Sequence, residues 1–263
     1  MDLDPALAAL HPLGPFFALR TAATATAAKS TAPPPTLAQA YRTPPPLDPD
    51  VDPLTLRLRK VAHALRAPEA RIAASVAHQG LAARLWSVTL GCAALYGALP
   101  DLDARLLRWD PDGSAPEDLF LTQVHARPSD AASLAAAVLD GHLEPLSAAL
   151  RARCPVAPGL LRGNAASALA GAARQLDGWA RAHGRDDVAA RGRALTAELL
   201  THPLLAGAGT LTGTGTPTGA GTLIGTAFRR RSCCLYYRVP QGGLCGDCCF
   251  TRPPRSSVRG PSE

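Results

Sequence analysis

Cys233 and Cys234 stand side by side, ten residues follow, and Cys245 and Cys248 complete a C-C-x10-C-x2-C pattern, with Cys249 directly after. Four thiols so close in sequence constrain the chain more than any other feature. They are suited to a soft metal centre, either an iron–sulfur cluster or a tetrahedral zinc. Adjacent cysteines point in different directions in most backbone conformations, so the segment must bend to bring them to one centre. Cys245 and Cys248 form a knuckle-like turn, where Gly246 supplies backbone freedom. Gly242-Gly243 lets the intervening loop fold back.

Three readings of this segment compete. Zinc knuckles usually present two Cys-x2-Cys-like pairs, and an adjacent pair is unusual for them. Disulfides need an oxidising compartment, which nothing in the chain supports. The residues alone therefore favour iron–sulfur over zinc, with thiol chemistry third. Cys92 and Cys154 read as small buried hydrophobes.

The rest of the chain reads as mainly α. Hydrophobic residues make up 47% of the 263 and aromatics only 5%. With Ala abundant, this predicts helices packed through small side chains. The net charge is +6 and the pI about 9.2. The positive residues are almost all Arg, and Lys29 and Lys60 are the two lysines. Enrichment in Arg, Ala, Gly and Pro together fits GC-rich coding, so the global charge is discounted and no nucleic-acid partner is expected. The longest uncharged apolar stretch of the helical region, Leu85 to Pro100, falls short of the roughly 20 residues of a membrane span. Asp2 and Asp4 are the wrong sign for a secretory signal. A cytoplasmic protein is expected.

Five segments are expected. Residues 1–53 read as a Pro/Ala-rich, largely disordered stretch, with Pro33-Pro34-Pro35 and Pro44-Pro45-Pro46 bracketing a mobile linker. Residues 54–206 read as a helical domain. Its helices are expected over Leu54–Arg66, from Pro68 toward residue 100, and over about 130–152, 157–184 and 186–201. Gly80 and Gly91 are expected to split the second of these. Within the domain, 105–109 and 119–122 flank Asp110-Pro111-Asp112-Gly113 and read as one small β-hairpin. Residues 207–227 form a Gly/Thr-rich loop, in which 207–214 recurs almost unchanged as 219–226. Residues 228–250 are the cysteine module, and 251–263 a disordered tail.

The thiol pattern resembles the C-terminal signature of FhuF-type ferric-siderophore reductases at all four positions. Residues 230–238 and 243–248 resemble actinobacterial members. Residues 77–86 (AHQGLAARLW) and 163–167 (GNAAS) more weakly resemble the helical part of that family. The resemblance implies a [2Fe–2S] cluster held by Cys233, Cys234, Cys245 and Cys248, with Cys249 outside the ligand set or able to substitute for Cys248. It implies one-electron reduction of chelated Fe(III), releasing Fe(II). The implied partners are a ferric siderophore, hydroxamates among the candidates, an external electron-donor protein, and peripheral contact with the inner face of the membrane or a siderophore importer. No catalytic residue beyond the cluster is nominated. The alternatives are an iron–sulfur redox sensor or electron carrier without siderophore turnover, and a zinc-stabilised interaction module.

Arg229, Arg230, Arg231 and Arg238 surround the motif. They read either as charge that stabilises a reduced cluster or as a solvated basic face. Tyr236 and Tyr237 read as interface packing or as a cover over the cluster. Trp86, Trp109 and Trp179 read as core or as the wall of a ligand cleft. The histidines show no metal spacing.

Overall fold

The N-terminal residues Leu3, Leu7, Leu10, Leu13 and Phe17 repeat at three- to four-residue intervals, and all five are buried. In the computed structural model, which describes residues 3–22, 33–43, 48–213 and 226–254, they form the short helix α1 (Asp4–Ala8), a 3-10 turn (His11–Leu13) and the chain leading into strand β1 (Arg20–Thr21). This corrects the expectation of a largely disordered 1–53. The helix-period stripe seals one side of the core, despite the prolines beside it. Asp52, in the expected linker, is 1% exposed; it caps α3 and forms an ion pair with Arg153 at 2.7 Å. Pro34 and Pro35 also lie in the fold, their carbonyls accepting from Arg108 and from the Trp109 N–H, both at 2.8 Å. The Pro44–Pro46 expectation falls on residues outside those described.

Helices α2 (Leu37–Ala40) and α3 (Pro53–Leu65) lead to α4 (Ala70–Tyr96). α4 is one continuous helix, not two. Leu10 and Phe17 pack so closely against Gly91 that a Cβ there would sit 2.9 Å from the Phe17 ring. Gly91 thus admits the N-terminal segment and does not break the helix. α4 is apolar on nearly every side, as a central helix must be, and its residues from Ile72 to Ala94 are mostly buried.

Strands β2 (Leu99–Pro100), β3 (Leu107–Trp109), β4 (Leu119–Leu121) and β5 (Ala126–Arg127) follow. β3 and β4 pair antiparallel, Trp109 opposite Leu119, which is the expected hairpin. β1 adds to β4 in parallel and completes a three-stranded sheet.

Asp130 caps α5 (Ala131–Ala135), its side chain accepting the Ser133 N–H at 2.8 Å. A π-helical stretch over Ala136–Leu143 continues into α6 (Glu144–Arg153). α7 (Pro158–Ala182) and α8 (Asp186–Leu199) complete the helical body. Buried small residues of α7, including Ala165, Ala166, Ala168 and Ala170, allow the close packing of α7 on α4.

The expected Gly/Thr loop is a correction too. Residues 209–213 and 226–230 are strands β6 and β7 of a second antiparallel hairpin, with Gly209 opposite Arg230. β-branched threonines suit such a strand. The residues between them, with most of the repeat's second copy, lie outside those described, as does the tail beyond residue 254. The architecture is mainly α, with small strands and a C-terminal cysteine-rich lobe. Among the described residues, no helix is long and apolar enough to cross a membrane.

Candidate iron–sulfur centre

β7 delivers the cysteine module to the joint between α4 and α7. Its last residue, Arg230, is 2% exposed and runs into that joint. The Arg230 guanidinium donates to Gln79 Oε1 (3.0 Å), to Asn164 Oδ1 and to the Leu160 carbonyl (3.4 Å). Asn164 in turn donates to the Ser75 carbonyl (2.8 Å), and the Ser75 hydroxyl donates to the Cys234 carbonyl (2.8 Å). Gln79 Nε2 donates to the Ser167 hydroxyl (3.2 Å). These side chains tie two helices to the first cysteine pair. Gly163 makes room for the tie, since a Cβ there would lie 2.2 Å from Ser232 Oγ and 3.1 Å from the Arg230 guanidinium.

A second tie holds the other pair. Asp247, buried within the Cys245–Cys248 turn, accepts the Ser167 hydroxyl at 2.6 Å and forms an ion pair with Arg174 at 3.0 Å. The Asp247 carbonyl also accepts the Arg230 N–H at 3.0 Å, joining the two ties. The turn closes with the Cys248 N–H donating to the Cys245 carbonyl at 3.0 Å, the knuckle expected from the spacing.

The module brings the thiols within electrostatic reach of one another. Cys234 and Cys245 share a hydrogen bond, which holds Cys234 well below the ordinary thiol range and pushes Cys245 up. Burial pushes Cys233 up to about 11, with the neighbouring Cys234, Cys249 and Cys248 adding to it. Backbone N–H groups point at sulfur: Leu235 N–H donates to Cys233 Sγ (3.2 Å) and Phe250 N–H to Cys248 Sγ (3.4 Å). Leu235 reaches this position with φ +67°, a left-handed conformation rare for a branched side chain. Such N–H groups stabilise negative charge on sulfur.

The donor set fits a thiolate-bound iron–sulfur cluster. Arg230 is a buried cation whose hydrogen-bond acceptors are neutral, and its Nε has no acceptor among the described residues. Its field reaches Cys234, Cys245 and Cys249. A buried charge without a countercharge is costly. A cluster in thiolate coordination is anionic and supplies that countercharge. Among the described residues, no three His, Cys, Asp or Glu side chains are grouped closely enough to hold a metal ion, so the four thiols lie near one another without converging on one point.

The arginine quartet divides. Arg230 alone is buried in the joint. Arg238 pairs with Glu69 at 2.6 Å, while Arg229 and Arg231 are exposed. Tyr237 meets Phe250 edge-on, and Tyr236 is 38% exposed. Trp86 and Trp109 are core, and Trp179 stacks on His183. Cys154 is buried at the end of α6, and burial pushes its thiol up. Gln79, Asn164 and Ser167 fall in the two helical segments whose resemblance to the family was noted, and their role is to hold the module. Asp247 falls in the segment 243–248 that resembles the family, whereas Arg174 and Phe16 carried no signal beyond their residue type.

A cleft of about 330 Å³ opens against Cys245, Gly246 and Asp247. α4 and α7 form its floor, with Gln79, Ala83, Ala168 and Arg174. The chain from Leu13 to Phe17 forms its wall. That wall is pinned. The buried Arg84 guanidinium donates to the carbonyls of Pro15 (2.7 Å), Phe16 (2.9 Å) and Ala18 (2.6 Å), and pairs with Asp118 at 3.3 Å. Gln175 donates to the Leu13 carbonyl at 3.0 Å. A second cleft, of about 740 Å³, opens against Cys233.

The fold and the thiols define an iron–sulfur protein with its cluster lobe docked on a helical body. The family model of the FhuF 2Fe-2S C-terminal domain matches residues 230–250. This segment, from the end of β7 through Phe250, is therefore a FhuF-type domain, and its cofactor is a 2Fe–2S cluster. No curated protein gives a significant match to the chain.

Proposed function

We propose that the protein is a one-electron reductase of ferric siderophores, with Cys233, Cys234, Cys245 and Cys248 as the cluster ligands and the cleft at Cys245 as the chelate site. The observation that carries this reading is the contact of that cleft with the cluster lobe. A chelate seated there lies against one of the ligand thiols and needs no bond to the protein. A bound cluster would supply a single electron. Hard oxygen donors hold Fe(III) far better than Fe(II), so one electron releases the metal.

The chain's own residues do the rest. Phe16, Phe17, Ala83 and Ala172 offer apolar surface to the organic arms of a chelate. Arg174 and Asp247 neutralise each other at the cleft floor, so the site carries little net charge. That suits a chelate of low net charge, which favours hydroxamates over anionic catecholates. The sequence carries no obvious flavin or nicotinamide fingerprint, and this reading assigns the electron to an external donor protein. The expected site of action is the cytoplasm, at or near the inner face of the membrane.

The test begins with protein purified anaerobically. Broad visible absorption bleached by dithionite, with two irons and two sulfides per chain, is expected. Mixing the reduced protein with a ferric hydroxamate should re-oxidise it, with Fe(II) appearing in a ferrous trap. Cys233→Ser and Cys248→Ser should lose colour, and Cys249→Ser should keep it. Phe16→Ala should raise KM for the chelate with the cluster intact. A reduced cluster that ferric chelates do not re-oxidise would leave an electron carrier or sensor in place of a reductase.

A further inference from the structure

We propose that the open cleft at Cys233 is the docking site of an acidic electron-donor protein. The inference rests on the reductase reading, because it assigns the electron's entry to a face separate from the chelate site. The clefts at Cys245 and Cys233 share no lining residue. Each nevertheless reaches a proposed ligand thiol, so the electron can enter beside one and leave beside another.

The two clefts differ in charge. Arg174 and Asp247 cancel at Cys245, whereas the Cys233 cleft is lined by Arg71 and Arg151 with no carboxylate. Arg71 pairs with Glu69 at 2.6 Å, but Glu69 also takes Arg238 at 2.6 Å, so two cations share one anion. Arg151 is exposed at the end of α6 and forms no ion pair among the described residues. The first turn of α7, with Gly159 and Leu160 in the cleft wall, adds the positive end of a 25-residue helix.

These cations stand at the rim, in solvent. Exposed charges hold a small anion weakly, but they steer and orient a large partner effectively. This placement favours a protein over a small anionic chelate. The transfer is outer-sphere: a reduced one-electron carrier loses an electron, this chain's cluster gains it, and no bond forms or breaks.

The probe is a reduced, acidic plant-type ferredoxin. Its binding to the oxidised holoprotein is measured by calorimetry at low and high salt, and its oxidation by stopped flow. Arg71→Glu combined with Arg151→Glu should weaken binding and slow ferredoxin oxidation at least tenfold at low salt, with most of the salt dependence lost. Arg105→Glu, outside both clefts, should leave binding and rate as in the parent. Deazaflavin photoreduction bypasses docking, so Fe(II) release from a ferric hydroxamate under it should be unchanged in the double variant. Parent-like ferredoxin binding by the double variant, or no binding by the parent, overturns the proposal. So does a double variant whose photoreduced turnover fails only with anionic ferric citrate, since the cleft would then hold chelate. If the photoreduced parent reduces no chelate, the reductase reading fails, while the binding arm still judges the docking site.

Discussion

Replacing Arg230 separates what its charge does from what its hydrogen bonds do. Arg230→Gln removes a buried cation whose field reaches Cys234, Cys245 and Cys249. A unit charge about 10 Å from the cluster, at an effective dielectric near 20, contributes roughly 1.7 kcal/mol. For one electron that is about 70 mV. The potential of Arg230→Gln should therefore fall by several tens of millivolts, with solvent screening setting about 70 mV as the ceiling. Arg230→Lys keeps the charge but loses the fork that reaches Gln79 and Asn164 together. It should destabilise the fold by about 1–3 kcal/mol, with the potential close to that of the parent. The assays are protein-film voltammetry for the potential and chemical denaturation under anaerobic conditions for stability. A potential in Arg230→Gln equal to the parent's, with the cluster fully loaded, would refute the electrostatic role.

Asp247→Asn keeps the size of the side chain and an acceptor for Ser167, but breaks the ion pair with Arg174. Arg174 is 40% exposed and solvent compensates part of the loss, so a cost of about 1–2 kcal/mol is expected in urea unfolding, with faster cluster loss to a chelator. Gly163→Ala forces Ser232 or Arg230 to move and should cost about 1–3 kcal/mol, read as a lower melting temperature and incomplete cluster loading. Acid should weaken the fold through two buried histidines. Burial holds His78 down to about 3, with Arg230 adding to it, and burial holds His142 down to about 4 against the pull of the Leu102 carbonyl. Both folded pKa values lie below the unfolded one, near 6.5, so this stability is present above pH 6.5 and is lost as the pH falls toward 4. The slope from each is up to about 1.4 kcal/mol per pH unit, and His142→Gln should flatten unfolding free energy against pH between 6.5 and 5. An unchanged slope would mean that His142 is not buried in its neutral form.

The helical body was legible because abundant Ala with few aromatics favours helices packed through small side chains. The thiol module was legible because its spacing is specific. The N-terminal stripe was hidden because the Pro/Ala-rich composition of 1–53 masks the helical spacing of Leu3, Leu7, Leu10 and Leu13. Gly91 misled because a helix glycine reads as a break until the packed Phe17 ring is seen. The second hairpin was hidden by its own composition, since a Gly/Thr run carries no apolar alternation. The cleft could not be read at all. Its wall and floor come from segments far apart in sequence, and Phe16 and Arg174 acquire meaning only when packing places them beside Cys245.

That separation has a consequence for how the protein comes into being. Residues 13–17 leave the ribosome well before residues 245–247, so the cleft closes a long loop of chain. Contacts of such long range form late and slowly. The wall can settle on α4 early, pinned by Arg84, but the floor exists only once the thiol turn has docked on Ser167 and Arg174. Docking of the thiol turn and closure of the cleft thus belong to one event. A fragment ending before Cys245 would keep a helical core while lacking the cleft.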